Sequence, residues 1–159
     1  MKIKILVVGK VKESYFRQGI EEYKKRLSSY VKCEIFSVKE EKAPQTLSLA
    51  EEEQVKEKEG KALLRQVNEK DEVVLLDIQG ESMDSVKFSK ILKNYGIQGT
   101  KNVIFIIGGS LGVSEEVRKR ANRRISFSKM TFPHQMMQVI LLEQIYRGYR
   151  IMENHPYHK

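Results

Sequence analysis

At 159 residues the chain has the length of one ordinary domain, enough to bury a single sizeable core. Hydrophobic residues make up 40% and charged residues 31%, the balance of a soluble globular protein, and runs such as Val103–Ile107 are far too short to span a bilayer. Lysine and arginine number 29 against 21 acids, a formal net charge of +8 that favours polyanionic partners, while the lone Cys33 excludes an intrachain disulfide.

The opening Lys2 to Val8 is a short β-branched run that Gly9 breaks. A lysine inside the run and a Gly-Lys pair after it leave no signal-peptide core, so the expected compartment is the cytoplasm. From Glu13 onward, Phe16, Ile20, Tyr23, Leu27 and Tyr30 recur at helical spacing, one face of an amphipathic helix. Val31 to Val38 reads as a second strand, Glu40 to Leu47 as a loop around Pro44, and Ser48 to Val67 as a helix. In that helix Glu52 with Lys56, and Glu57 with Lys61, stand at i,i+4 spacing on a solvated face.

The second half repeats the alternation. Glu72 to Ile78 is a nearly continuous apolar strand, and Gln79-Gly80 is expected to turn the chain. Ser85 to Tyr95 reads as a helix with Gly96 as its C-cap, and Asn102 to Ile107 as a buried strand. Ser114, followed by Glu115 and Glu116, starts a helix expected to reach Asn122, because acids suit the positive end of the helix dipole. Arg124 to Lys129 is expected as the last strand, and Pro133 opens a long final helix to about Met152.

Strands apolar on both faces, alternating with helices, predict an α/β fold: one domain over residues 1–159 with a mainly parallel sheet flanked by helices. Met136, Met137, Val139, Ile140, Leu141, Leu142, Ile145, Tyr146 and Tyr149 cover more than one face of the final helix. A small domain needs one such face for its sheet, so the remainder points to a homodimer formed through this helix.

Open parallel sheets bind ligands beyond the C-terminal ends of their strands. Three loops fall there: Gln79-Gly80-Glu81, Gly108-Gly109-Ser110-Leu111-Gly112, and Lys129 through Gln135. The second fits G-x-S-x-G with Ser110 as nucleophile, but all three aspartates precede it, and Glu143 with His155 or His158 would have to stand in. The loop is neither a P-loop nor a dinucleotide fingerprint. Three histidines and one cysteine, without a two-histidine helix motif, give no metal site. The basic stretch Arg118, Lys119, Arg120, Arg123, Arg124 and Lys129 contains no acid and reads as a nucleic-acid contact.

Ser126-Phe127-Ser128-Lys129-Met130-Thr131-Phe132-Pro133-His134-Gln135 closely resembles the ribosomal RNA large-subunit methyltransferase H family. Phe105 to Gly109, the opening Lys4 to Lys10 and the ending Pro156-Tyr157-His158-Lys159 are similar to it too, so the resemblance spans the chain. It implies a SPOUT fold with a C-terminal trefoil knot. It also implies S-adenosylmethionine as methyl donor, and a homodimer that methylates N3 of a pseudouridine in large-subunit ribosomal RNA on the assembled ribosome. A non-catalytic ribosome- or RNA-binding protein is one alternative, and a serine hydrolase using Ser110 is the other.

The cofactor pocket implied by the resemblance falls on Leu76, Gly108 and Gly109, and on Phe127, Ser128, Lys129, Met130, Thr131 and Phe132. The proton on the target nitrogen must leave, and His134, Tyr157 and His158 are the expected catalytic groups. Arg118, Arg120, Arg123, Arg124, Arg147, Arg150 and Lys159 are expected to contact RNA.

Overall fold

The computed structural model describes residues 1–159. Its first half runs β1 Lys2–Val8, α1 Ser14–Leu27, β2 Lys32–Val38 and α2 Leu49–Leu64. The second runs β3 Glu72–Ser82, α3 Ser85–Ile97, β4 Asn102–Ile107, α4 Glu115–Arg120, β5 Arg123–Ser126 and α5 His134–Met152. The strands pair in the order β2-β1-β4-β3-β5 and every pairing is parallel, so all their C-terminal ends lie along one edge.

Side-chain alternation along the central strands divides the core into two layers. Ile3, Ile5, Val7, Val74, Val103, Phe105 and Ile107 pack with residues of α1, α3 and α5. Leu6, Val8, Val73, Leu75, Ile104 and Ile106 face the other way, onto Leu63 of α2 and Val117 of α4. Both predicted helix starts are capped: Ser48 forms a capping box with Glu51, and Ser114 Oγ accepts from Val117 N.

Four boundaries differ from expectation, each for a tertiary reason. Gln79-Gly80 does not turn the chain. Instead β3 bulges: Leu76 and Glu81 both stand opposite Ile125, and the four residues between leave the ladder. A Cβ on Gly80 would lie 2.7 Å from backbone atoms of Arg124 and Ile125, so the bulge closes on β5 only because this residue has none. Gly96 lies inside α3, and Gly99 at φ +71 follows its C-cap, Gln98, instead. α4 stops at Arg120 because Asn122 joins the sheet edge, its N–H donating to Val73 O and its Oδ1 accepting from Val73 N. β5 ends at Ser126, whose hydroxyl donates to Ser128 O, so Phe127 begins a loop rather than extending a strand.

α5 lies between α1 and α3. Val139 packs against Gly19, and Ser89 Oγ donates to Gly148 O at 2.7 Å where Gly148 lets α3 approach. Tyr30 stacks on Tyr149 at 5.5 Å, and Tyr23 sits 6.2 Å from Tyr146. Two helices of the same chain thus cover much of the apolar surface assigned above to a partner. Met136 is the one large apolar residue of α5 left exposed.

Candidate active site at the strand ends

The ends of β3, β4 and β5 and the first turn of α5 enclose a cavity of about 490 Å³. Its floor is the loop after β4. Gly112, at φ +88, brings its N–H back to Gly109 O at 3.0 Å, folding Gly108 to Gly112 into a tight return. A Cβ on Gly108 would lie 2.7 Å from Val113 Cγ1, so glycine keeps backbone at the surface of the cavity there. The β3 bulge supplies a second wall through Leu76, Asp77, Ile78 and Gln79. The loop after β5 supplies the third, shaped by Met130 N donating to Ser128 Oγ at 3.0 Å.

Leu76, Gly108, Gly109, Phe127, Ser128, Met130, Thr131 and Phe132 all line this space, and His134 joins them from α5. Phe127 both lines the cavity and meets Phe88 edge-on at 6.0 Å, so it belongs to core and site together. Met130 is 71% exposed at the rim, an apolar side chain without an internal partner. Lys129, in the middle of the same stretch, is exposed and does not line the cavity.

Tyr157 and His158 lie elsewhere. Tyr157 Oη donates to Glu143 Oε1 at 3.1 Å and its ring packs on Tyr146, while Arg147 covers it at 4.7 Å. Arg147 also reaches His158 Nδ1 at 3.3 Å. Burial, together with Tyr23 and Glu143, raises the Tyr157 pKa, so on this helix the phenol keeps its proton. Within one chain the tail is held on the middle of α5 and does not enter the cavity.

The basic residues divide sharply. Arg118 lines the cavity, 3.7 Å from Asp77, which Arg124 approaches at 3.5 Å. Arg123 pairs with Glu81 at 3.0 Å, and Lys87 binds the same carboxylate. Those cations, Lys87 first, hold the Glu81 carboxyl below the usual carboxylate range. Arg120 donates to the carbonyls of Asn68 and Asp71 at 2.8 and 2.9 Å, a clamp on the turn before β3. Arg150 donates to Tyr30 Oη, and Arg147 pairs with Glu143 at 2.6 Å. Lys119, Lys129 and Lys159 are exposed and make no ion pair. Ordered pairing leaves the predicted basic stretch with less free charge than its sequence implies.

Asp77, Ile78, Ile107, Val113 and Met137 also line the cavity and were not singled out from sequence. Asp77 had a signal, an acid at the end of an apolar strand. Met137 had another, three residues after His134 on the same helix. Ser110, Asp77 and His134 share the cavity, yet Ser110 bonds to neither, and Asp77 is engaged by two arginines and by Gln79 N. The constellation of an activated serine is not assembled. No helix is long and apolar enough to cross a membrane.

A parallel α/β sheet whose last loops converge on a glycine-floored cavity is an architecture with known counterparts. The family model described as "Predicted SPOUT methyltransferase" matches residues 1–158, and the chain belongs to that family. Its full-length relatives set it, more narrowly, among the ribosomal RNA large subunit methyltransferases H. The protein of that name from Enterococcus faecalis is 54% identical over 159 residues, and that from Clostridioides difficile 52% identical, each covering 100% of both chains. Among solved structures, the tRNA (m1G37) methyltransferase of Aquifex aeolicus has a TM-score of 0.53 at 14% identity. It covers 92% of this chain and 70% of its own. A Legionella pneumophila protein described as a methyltransferase, solved with bound S-adenosylmethionine, has a TM-score of 0.51 at 12% identity. It covers 94% of this chain and 66% of its own. At such identities these two share the fold.

Proposed function

We propose that this chain binds S-adenosylmethionine in the strand-end cavity and transfers its methyl group to N3 of a pseudouridine in large-subunit ribosomal RNA on the assembled ribosome, acting as a cytoplasmic homodimer. The observation that carries the reading is the convergence of the three loops around Gly108. They leave about 490 Å³ lined by backbone, aliphatic and aromatic groups, within the range of small-molecule cofactor sites. The residues fit the donor. Leu76, Phe127, Met130 and Phe132 offer an apolar slot for an adenine ring, and Gly108, Gly109 and the 127–132 loop offer backbone donors and acceptors to its edge.

The sulfonium supplies both electrophile and leaving group. The protein contributes alignment and a path for the proton on the target nitrogen. His134, on the first turn of α5 and at the wall of the cavity, is the group best placed to accept that proton. Tyr157 and His158 serve the cavity only from a second copy or after leaving α5, which is why the dimer belongs to the proposal. Met136, Ile140 and Ile151, with Gln144 and Arg147, form a stripe along α5 that supports pairing between copies. The knotted threading of the last segment is part of the same reading, supported by the match to the SPOUT family model.

Calorimetric titration with S-adenosylmethionine, followed by transfer of a tritiated methyl group to ribosomes lacking the modification, tests it. Micromolar binding and label on the pseudouridine of intact ribosomes are expected. Folded dimeric protein that binds no donor, with or without ribosomes, would leave a non-catalytic ribosome-binding protein in its place.

A further inference from the structure

Beside the first cavity lies a second, of about 340 Å³, at the ends of β1 and β2. Its walls bring together Lys10 from the loop after β1, Arg17 and Lys24 from α1, Ser37 from β2 and Gln138 from α5. The single acid among its walls is Glu21, which Lys24 engages at 3.5 Å, while Lys10 and Arg17 pair with no acid. Glu40 rests against Gly9 without lining the space. Gln138 is 2% exposed, and its Nε2 has no hydrogen-bond partner. A buried amide donor is ordinarily satisfied, so an orphan on the wall of a cationic cavity marks a missing acceptor. Lys10, Arg17 and the orphan Gln138 amide are donors without an acceptor, which is the chemistry of an oxyanion site.

The two cavities share a wall. Val7 of the second lies opposite Ile107 of the first in the β1–β4 register, one strand spacing away. The first turns of α5 separate them, turning His134 and Met137 to one side and Gln138 to the other. Lys12 N donates to Gln135 Oε1 at 3.0 Å, tying the rim of the second cavity to the start of that helix.

We infer that the second cavity binds a backbone phosphate of the substrate RNA, next to the nucleotide that enters the first, through Lys10, Arg17 and the buried amide of Gln138. The inference rests on the methyltransferase reading for the identity of the RNA, but not for the binding of phosphate. Phosphate contacts set register and carry no base information, so this site would position the target rather than select it.

Nuclear magnetic resonance of the full-length protein tests this, with uridine 5′-monophosphate, inorganic phosphate and uridine as probes. Saturable shifts of the Gln138 side-chain amide by the monophosphate are expected. Equal affinity for inorganic phosphate assigns recognition to the phosphate alone, and tighter binding of the monophosphate assigns it to a nucleotide. Arg17→Gln, on the exposed side of α1, weakens the response at least fivefold. Gln138→Met keeps the volume and abolishes the response read at the amides of Gly9 to Lys12. In methyl transfer, Arg17→Gln raises KM for ribosomes about tenfold and leaves kcat and donor affinity unchanged. The inference is overturned if no probe gives a saturable shift, if uridine acts as strongly as its monophosphate, or if Arg17→Gln responds as the unsubstituted protein does. Phosphate binding without donor binding would instead retain the site and remove the methyltransferase reading.

Discussion

The two cavities stand side by side on one sheet edge, separated by the first turns of a single helix, and are built from opposite materials. The larger is made of loops, with glycine backbone, apolar side chains and an aspartate already matched by Arg118 and Arg124. The smaller is lined by side chains from α1, α5, β2 and the loop after β1, cationic and with a buried amide unsatisfied. Backbone at a strand end is fixed by the sheet and can press closely on a ligand with little reorganisation, which suits an adenine and a short chain. Long cationic side chains on a helix reach and adapt, which suits a backbone whose charges lie at variable positions. Adjacent sites of such different character fit a reaction that joins a compact donor to a polyanion.

The greatest loss is expected at Gly108. Gly108→Arg drives a side chain toward Val113 and into the larger cavity, and it should reduce donor affinity at least a hundredfold by calorimetry. The phosphate response of the smaller cavity should be preserved, and loss of both would mean the two are not separate sites. Next in size is Gly80→Ala, which places a Cβ 2.7 Å from β5 backbone. Urea unfolding should show a loss of about 2 to 3 kcal/mol, because the clash is with main chain that cannot turn aside. An unchanged midpoint would show that the bulge closing the larger cavity is not held where β5 places it.

Charged side chains contribute less. Arg120→Ala removes a clamp on two strong carbonyl acceptors and should cost about 1 to 2 kcal/mol in the same measurement, with the salt dependence of RNA binding unaltered. Lys119→Ala should do the reverse, reducing the salt slope with stability intact. The smallest effect belongs to Glu59, 4% exposed behind the loop after β4, with Oε1 3.2 Å from where a Cβ on Gly109 would lie. Burial raises its pKa above the ordinary value, outweighing the hydrogen bond from Glu41 N. The folded state therefore favours the protonated form, and stability is lost as pH rises through the folded pKa. Glu59→Gln should raise the melting temperature by about 1 to 2 °C at pH 8, with the gain shrinking toward pH 4. A gain independent of pH would assign the effect to packing instead.

The glycine loop of the larger cavity was legible because paired glycines after a buried strand carry their meaning locally, and the stretch from Ser126 to Gln135 was legible through its family resemblance. The smaller cavity was not legible. Lys10, Arg17, Ser37 and Gln138 come from four separate elements, and nothing in their spacing announces that they meet. The arginines misled for the same reason. Arg118 to Arg124 read as free charge, but Arg120 answers to carbonyls about fifty residues earlier and Arg123 to Glu81 across the β3–β5 register.

The strand–helix alternation, the parallel sheet and the helix starts at Ser48 and Ser114 were written in the sequence itself, because they follow from periodicity and turn chemistry acting within a few residues. The proposed cofactor residues of the loop from Phe127 to Phe132 came instead from the family resemblance. Only the tertiary structure decided that β3 bulges rather than turns, that Asn122 leaves its helix for the sheet, that α1 and α3 cover much of α5, and that the tail lies on that helix instead of in the cavity. Each of those outcomes turns on which distant backbone or charge stands opposite. Register and packing settle that, and a local pattern contains no record of it.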